Sequence, residues 1–222
     1  MAVTVVATTT TAFPDSARSS ASAGTLSVVA GDILWAVGVT EQRSVTTMSS
    51  VAGGGLVWSS VYSTSGSSQP HVRAFAAEAT GSGDVTPAFT ASNGTSVIGG
   101  FVWQLRQVVA TTAASHVNSQ STTLSTTAGE LGILVAAARP GGDITGRSWY
   151  AGAGAFTEVA AAQTSTVNMA GGHHPELGAA ASVQFGVSGL VGSPTAAVLQ
   201  YATMSGPPPT SLGFGKQQQG AG

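Results

Sequence analysis

Residues 30–39 read Ala-Gly-Asp-Ile-Leu-Trp-Ala-Val-Gly-Val, and residues 128–137 read Ala-Gly-Glu-Leu-Gly-Ile-Leu-Val-Ala-Ala. Each opens on Gly followed by an acid, the mark of a tight turn, and each continues as an apolar segment. Trp35, Val37 and Val39 fall on Ile133, Val135 and Ala137, a period-two match that describes a strand with one buried face. The two stretches lie 98 residues apart, and this offset aligns the two halves of the chain without a gap over roughly 80 positions. Thr25-Leu26-Ser27 meets Thr123-Leu124-Ser125, Trp58 meets Phe156, Val61 meets Val159, and Glu78 meets Glu176. Further on, Val85 meets Val183, Phe89 meets Val187, Gly94 meets Gly192 and Trp103 meets Tyr201. Aromatic on aromatic and acid on acid at one fixed offset indicate an internal duplication, residues 24–109 and 122–207, within one domain of residues 1–205.

Composition confines the fold to β-structure. Of 222 residues only 7 are Lys or Arg and 9 are Asp or Glu, so 7% are charged where a soluble domain carries about 25%. Helices clothe their wet faces in Lys, Glu and Arg, and this chain lacks enough of them for a helical bundle. Val occurs 25 times against 11 Leu, with Thr and Ser crowded between, which is the composition of strands and turns. The 30 Gly and 9 Pro stay below the roughly 25–30% of a disordered chain, so the chain is expected to fold.

The same numbers bound the partners. A formal charge of −2 with one lysine, Lys216, offers no basic stripe for nucleic acid or an anionic membrane surface. The longest apolar runs, 33–39 and 131–138, are far shorter than the roughly 20 residues of a membrane-spanning helix. The start, Met1 to Phe13, lacks a basic region before its apolar residues and reads as a strand. Without cysteine there is neither a disulfide framework nor a thiolate, and stability rests on core burial and sheet hydrogen bonds.

Each half holds about five short strands punctuated by Gly, Ser and Asn, which predicts an all-β, jelly-roll-like sandwich with internal pseudo-symmetry. After Tyr201 the pattern changes. Gly206-Pro207-Pro208-Pro209 cannot pair inside a sheet, so residues 206–222 read as a stiff stalk and an extended C-terminal tail. Leu212 and Phe214 are the large apolar side chains of the tail, and their spacing of two lets both face one groove of a neighbour.

Catalytic signatures are missing from the sequence. His173-His174-Pro175-Glu176 holds metal-ligand residue types, but adjacent strand residues point to opposite faces and one ion does not easily take both rings. Asp32, Asp84, Glu130 and Asp143 each stand beside Gly as turn residues rather than as converging acid–base pairs. Gly-x-Ser-x-Gly is absent, and Gly53-Gly54-Gly55 lacks the Lys and helix of a phosphate loop. Asn93-Gly94-Thr95 reads as a turn. The expectation is therefore no catalytic, cofactor or metal residue. Trp149 and Tyr150, placed in an expected loop over 147–150, are the aromatic pair available for an exposed contact, as assembly-contact residues with Leu212 and Phe214 or in stacking on a sugar.

The run Ala30-Gly31-Asp32-Ile33-Leu34-Trp35-Ala36-Val37, a Trp strand, an apolar strand ending in Ala79-Thr80-Gly81-Ser82-Gly83, an aromatic closing strand and a second round at Thr126-Thr127-Ala128-Gly129-Glu130-Leu131 form a familiar pattern. It resembles the Gly/Ala/Ser/Thr-rich β-sandwich proteins encoded among the virion structural genes of phages that infect actinobacteria, over about residues 3–204. The resemblance implies a minor tail protein or a capsid decoration protein, located in the virion and partnered by other phage structural proteins and copies of itself. It supplies no enzyme residues. A lectin-like module for host cell-wall glycan is the alternative.

Overall fold

The computed structural model describes residues 2–13, 16–41, 47–63, 70–92, 97–117, 119–139, 146–151, 156–177, 183–190 and 197–207. All regular structure among them is β, joined in antiparallel pairs. The first round of strands comprises β1 (Thr4–Thr10), β2 (Ser20–Ser22), β3 (Leu26–Val28), β4 (Ile33–Thr40), β5 (Met48–Ala52), β6 (Ser59–Ser63), β7 (His71–Glu78), β8 (Gly83–Val85), β9 (Ala88–Ala91) and β10 (Ile98–Arg106). The second comprises β11 (Ala110–Val117), β12 (Ser121–Leu124), β13 (Glu130–Ala138), β14 (Ser148–Ala151), β15 (Thr157–Gln163), β16 (Asn168–Leu177), β17 (Val183–Ser188) and β18 (Ala197–Ser205).

Each round builds a large sheet, β1-β10-β4-β7-β6 or β11-β18-β13-β16-β15, and covers one face of it with a small one, β2-β9-β5 or β12-β17-β14. A ribbon of β3 and β8 completes the first round. The opening strand pairs with the closing strand, which pairs with the long apolar strand, and this is the strand order of a jelly roll. The order occurs twice. The single sandwich with internal pseudo-symmetry expected from the sequence thus takes the form of two jelly rolls that share a core.

The two large sheets lie face to face. β1 contacts β15, β6 contacts β11 and β7 contacts β18, so the strand order of one sheet runs reversed over the other, as it does across a two-fold axis. Between them lies a core of Trp35, Val37, Phe101 and Trp103 from the first round with Ile133, Val135, Met169 and Ala202 from the second. On the far face of the first large sheet a separate core gathers Leu34, Phe75, Phe89 and Val102. Leu134, Phe185, Val187 and Leu199 do the same in the second round. The arrangement has four layers, and both large sheets are inner ones.

The apolar runs follow from this. Antiparallel sheets usually keep one wet face and alternate in polarity. Here β13 is buried at every residue and β4 at every residue after Ile33, so the one-face reading of these strands is corrected to two buried faces.

Glycines make the close stacking feasible. A Cβ on Gly171 of β16 would stand 2.6 Å from Cδ1 of Phe101, and one on Gly99 would strike Met169. The exchange is reciprocal: Phe101 of the first round enters a socket in the second, and Met169 of the second enters a socket in the first. Within each jelly roll the device recurs, with Gly100 under Phe89 and Gly132 under Phe185.

The duplication holds in topology, but its register slips. Leu26 opposes Val85 and Leu124 opposes Val183, as an offset of 98 requires. In the closing strands, however, Trp35 opposes Trp103 while Ile133 opposes Ala202, so Trp103 corresponds to Ala202 and the pairing with Tyr201 is corrected by one residue. A one-residue shift turns a side chain to the opposite face. Tyr201 accordingly packs, half-buried, on the second jelly roll's own core, and Ala202 occupies the shared one. β16 slips the other way: Ile133 opposes His173 where Trp35 opposes Ala76. Pro175, which has no N–H to give a ladder, lies in the bulge that restores register at Leu177.

Two stability measurements follow from this packing. Trp103→Ala empties a fully buried site and lowers unfolding free energy by about 3–5 kcal/mol, whereas Tyr201→Ala costs less than half of that, read as denaturant midpoints. Gly171→Ala pushes a methyl into the Phe101 ring and costs about 1–3 kcal/mol. Phe101→Leu in the same chain recovers part of that loss, and a strictly additive double mutant contradicts the socket.

Candidate functional site

The acid of each Gly-acid turn is buried at the mouth of its jelly roll. In the first round the Asp32 N–H donates to the Val29 carbonyl at 3.1 Å, and Gly31 sits at φ 87°. This is a turn whose third residue needs positive φ, and Gly supplies it without strain. The Asp32 carboxylate, with 0% exposure, then collects four donors. The Val29 N–H reaches Oδ2 at 3.0 Å, Gln104 Nε2 reaches Oδ2 at 2.5 Å, and Arg106 reaches Oδ1 through Nε at 2.5 Å and Oδ2 through Nη2 at 3.1 Å. Burial raises the Asp32 pKa, but Arg106, the Val29 amide and Gln104 together outweigh it and hold the group below the usual carboxylate value.

The second round repeats the turn without the fork. The Glu130 N–H donates to the Thr127 carbonyl at 3.3 Å, the Thr127 N–H donates to Glu130 Oε2 at 3.0 Å, and Gly129 sits at φ 80°. Beside Glu130 opens a cleft of about 430 Å³.

Trp149 is not in a loop. Ser148–Ala151 form β14, paired to β17 with Trp149 opposite Val187 and Tyr150 opposite Gly186. At the same place in the first round Val51 opposes Phe89, so large and small residues have exchanged strands. The Trp149 ring is half-buried and stacks on Phe156 with centroids 4.2 Å apart at 11°. Its Nε1 donates to Glu158 Oε2 at 2.9 Å, and Glu158 also takes the Arg147 guanidinium. Arg147 first and Trp149 after it hold the Glu158 pKa down against burial. The loop reading of 147–150 is corrected accordingly: the Trp149 ring is committed to the sandwich and does not stand out as an exposed contact. Leu212 and Phe214 lie outside the described residues.

His173 and His174 are divided by the strand that carries them. His173 opposes Ile133 on the shared-core face, and His174 opposes Gly132 on the other. Neither ring has a hydrogen-bond partner at Nδ1. Among the described residues no three His, Asp or Glu side chains gather. The Asp32 network escaped the sequence reading, which took the acid as a turn residue alone; the available signal was a buried closing strand ending in polar residues spaced by two, Gln104 and Arg106.

These groups set the pH dependence of stability. Burial, and after it the neighbouring His174, lowers the His173 pKa below 6.5, so the unfolded chain binds protons that the folded one does not. That contribution is complete above about pH 6.5 and is lost as pH falls below it. Asp32 and Glu158, depressed below 3.8 and 4.5, keep their contributions until pH falls through those values. Thermal midpoints measured from pH 8 down to 3 therefore decline in two stages. His173→Ala, which installs the residue of Ala76, flattens the upper stage, and Asp32→Asn diminishes the lower.

No family model matches this chain, and the comparisons with curated proteins and with solved structures likewise found no match.

Proposed function

We propose that the chain is a structural component of a bacteriophage virion, a minor tail protein that docks onto a larger assembly of phage proteins and copies of itself, with capsid decoration as the second placement. The observation that carries this reading is the chemistry of the sheet margins. β1, β6, β11 and β15 end the two large sheets, and among their residues the only Asp, Glu, Lys or Arg is Glu158, which is bonded to Arg147 and Trp149. Proteins that live as free monomers guard such margins with charge. Here each margin carries one bulge instead, at Val6, Val61, Thr112 and Val159. A bulge shortens the ladder offered to a neighbour, which restricts pairing to a partner of matching register without repelling it. Permanent association also tolerates a charge-poor surface, because neighbours cover it.

Jelly rolls recur in capsid proteins and in lectins, so the fold by itself is an analogy that serves both readings. The glycan alternative is weakened at Trp149, one face of which is stacked on Phe156 and whose Nε1 is bonded to Glu158. The reading assigns no reaction to the chain.

The test is incorporation into particles. Deleting residues 206–222, or replacing Val6 and Val61 by Lys on the margins, leaves the thermal midpoint of the purified protein near that of the parent and depletes it from virions, measured by immunoblot of banded particles. Normal incorporation of both variants, or the absence of gold label on particles carrying the parent chain, refutes the structural role. Saturable binding to host cell wall with no label on particles favours the lectin reading.

A further inference from the structure

From the comparison of the two acid turns we infer that the cleft beside Glu130 is a receptor for a guanidinium group. Leu105 opposes Ile33, which sets Arg106 across from Asp32, and Met204 opposes Leu131, which sets Ser205 across from Glu130. Ser205 thus holds the position of Arg106. Thr203 holds that of Gln104, and its hydroxyl is bonded to Thr112 Oγ1 at 2.8 Å. Both side chains that bind the first carboxylate, the Arg106 cation and the Gln104 amide, are replaced in the second round by hydroxyls for which no bond to Glu130 is seen.

Glu130 is nevertheless buried, at 4% exposure, and its only hydrogen-bond donor to the carboxylate among the described residues is the Thr127 N–H. Its other oxygen, Oε1, has no donor among the described residues, and Glu130 lines the cleft with no cation opposite it. The first jelly roll serves its carboxylate internally with a planar, two-pronged donor. In the second, the space is a cleft of about 430 Å³ lined by Glu130, Ser205, Thr112, Thr127, Ala2 and Pro207. Glutamate carries its carboxylate one carbon farther from the backbone than aspartate, and Glu130 is one of the residues that line that cleft. The ligand chemistry is read from the other copy of the site: a guanidinium makes two parallel bonds to a carboxylate, which a point-like ammonium does not.

Titration of the full chain with agmatine, followed by amide NMR, tests the assignment. Saturable shifts at 127–130 and 205–206 are the expected result. Glu130→Gln keeps an acceptor for the Thr127 N–H and weakens agmatine by about tenfold or more. Ser205→Arg rebuilds the first-round fork and abolishes the binding even if the first variant misfolds. A capped Gly-Arg-Gly peptide that binds as well as agmatine points to an arginine of another chain as the natural occupant, and agmatine without the peptide points to a small guanidine; either supports the receptor. Absence of shifts, undiminished binding in Glu130→Gln, or equal affinity for n-butylamine overturns it.

Discussion

The structure depends on burying two five-stranded sheets on both faces. A sheet with one wet face can carry charges on alternate residues, but β4, β10, β13 and β18 have almost no wet face to carry them on. The 7% charge content follows from this architecture. Close stacking of three hydrophobic cores also limits side-chain volume, and the sockets at Gly99, Gly100, Gly132 and Gly171 relieve it where Met169, Phe89, Phe185 and Phe101 enter. Glycine inside a strand ordinarily weakens it, and here the loss is offset by the packing of a large side chain over the bare backbone.

The two rounds are alike in topology and unlike in volume, and the difference is what fits them together. Trp35 and Trp103 on the first large sheet correspond to Ile133 and Ala202 on the second, so bulk on one side of the shared core is matched by smaller residues on the other. The sockets divide in the same way, since Phe101 meets Gly171 across an interface whose pseudo-symmetric counterpart holds Gln200 and Ala74. Two identical jelly rolls would place large residue against large residue. Divergence after duplication made the halves complementary.

Divergence also separated the two acid turns. One carboxylate is neutralised by Arg106, hydrogen-bonded by Gln104 and ties the turn to the closing strand, while the other keeps the turn but lines a cleft. The same fold element is thus a structural tie in one round and a ligand position in the other. The charge-poor margins and the cleft belong to one logic, in which a protein with few charges of its own leaves part of its pairing to its surroundings.

The sequence by itself determined the all-β class, the tandem rounds and the Gly-acid turns, because composition, period-two alternation and positive-φ glycine are local properties legible at residues such as Gly31, Asp32 and Trp35. Tertiary structure alone decided which face each residue serves. An offset of 98 places Trp103 on Tyr201, but inter-strand pairing moves the match to Ala202, and nothing local marks the one-residue change that flips a whole strand. The same holds for the site. Trp149 reads as an exposed aromatic beside Arg147 until pairing with β17 turns it onto Phe156. Asp32 and Arg106 are 74 residues apart in the chain and meet at 2.5 Å, and the lack of such a partner for Glu130 becomes visible only when the register sets Ser205 opposite it. Alternation is written in the chain, but register is a property of two strands and of the sheets stacked on them, and it is settled only when both faces are buried at once.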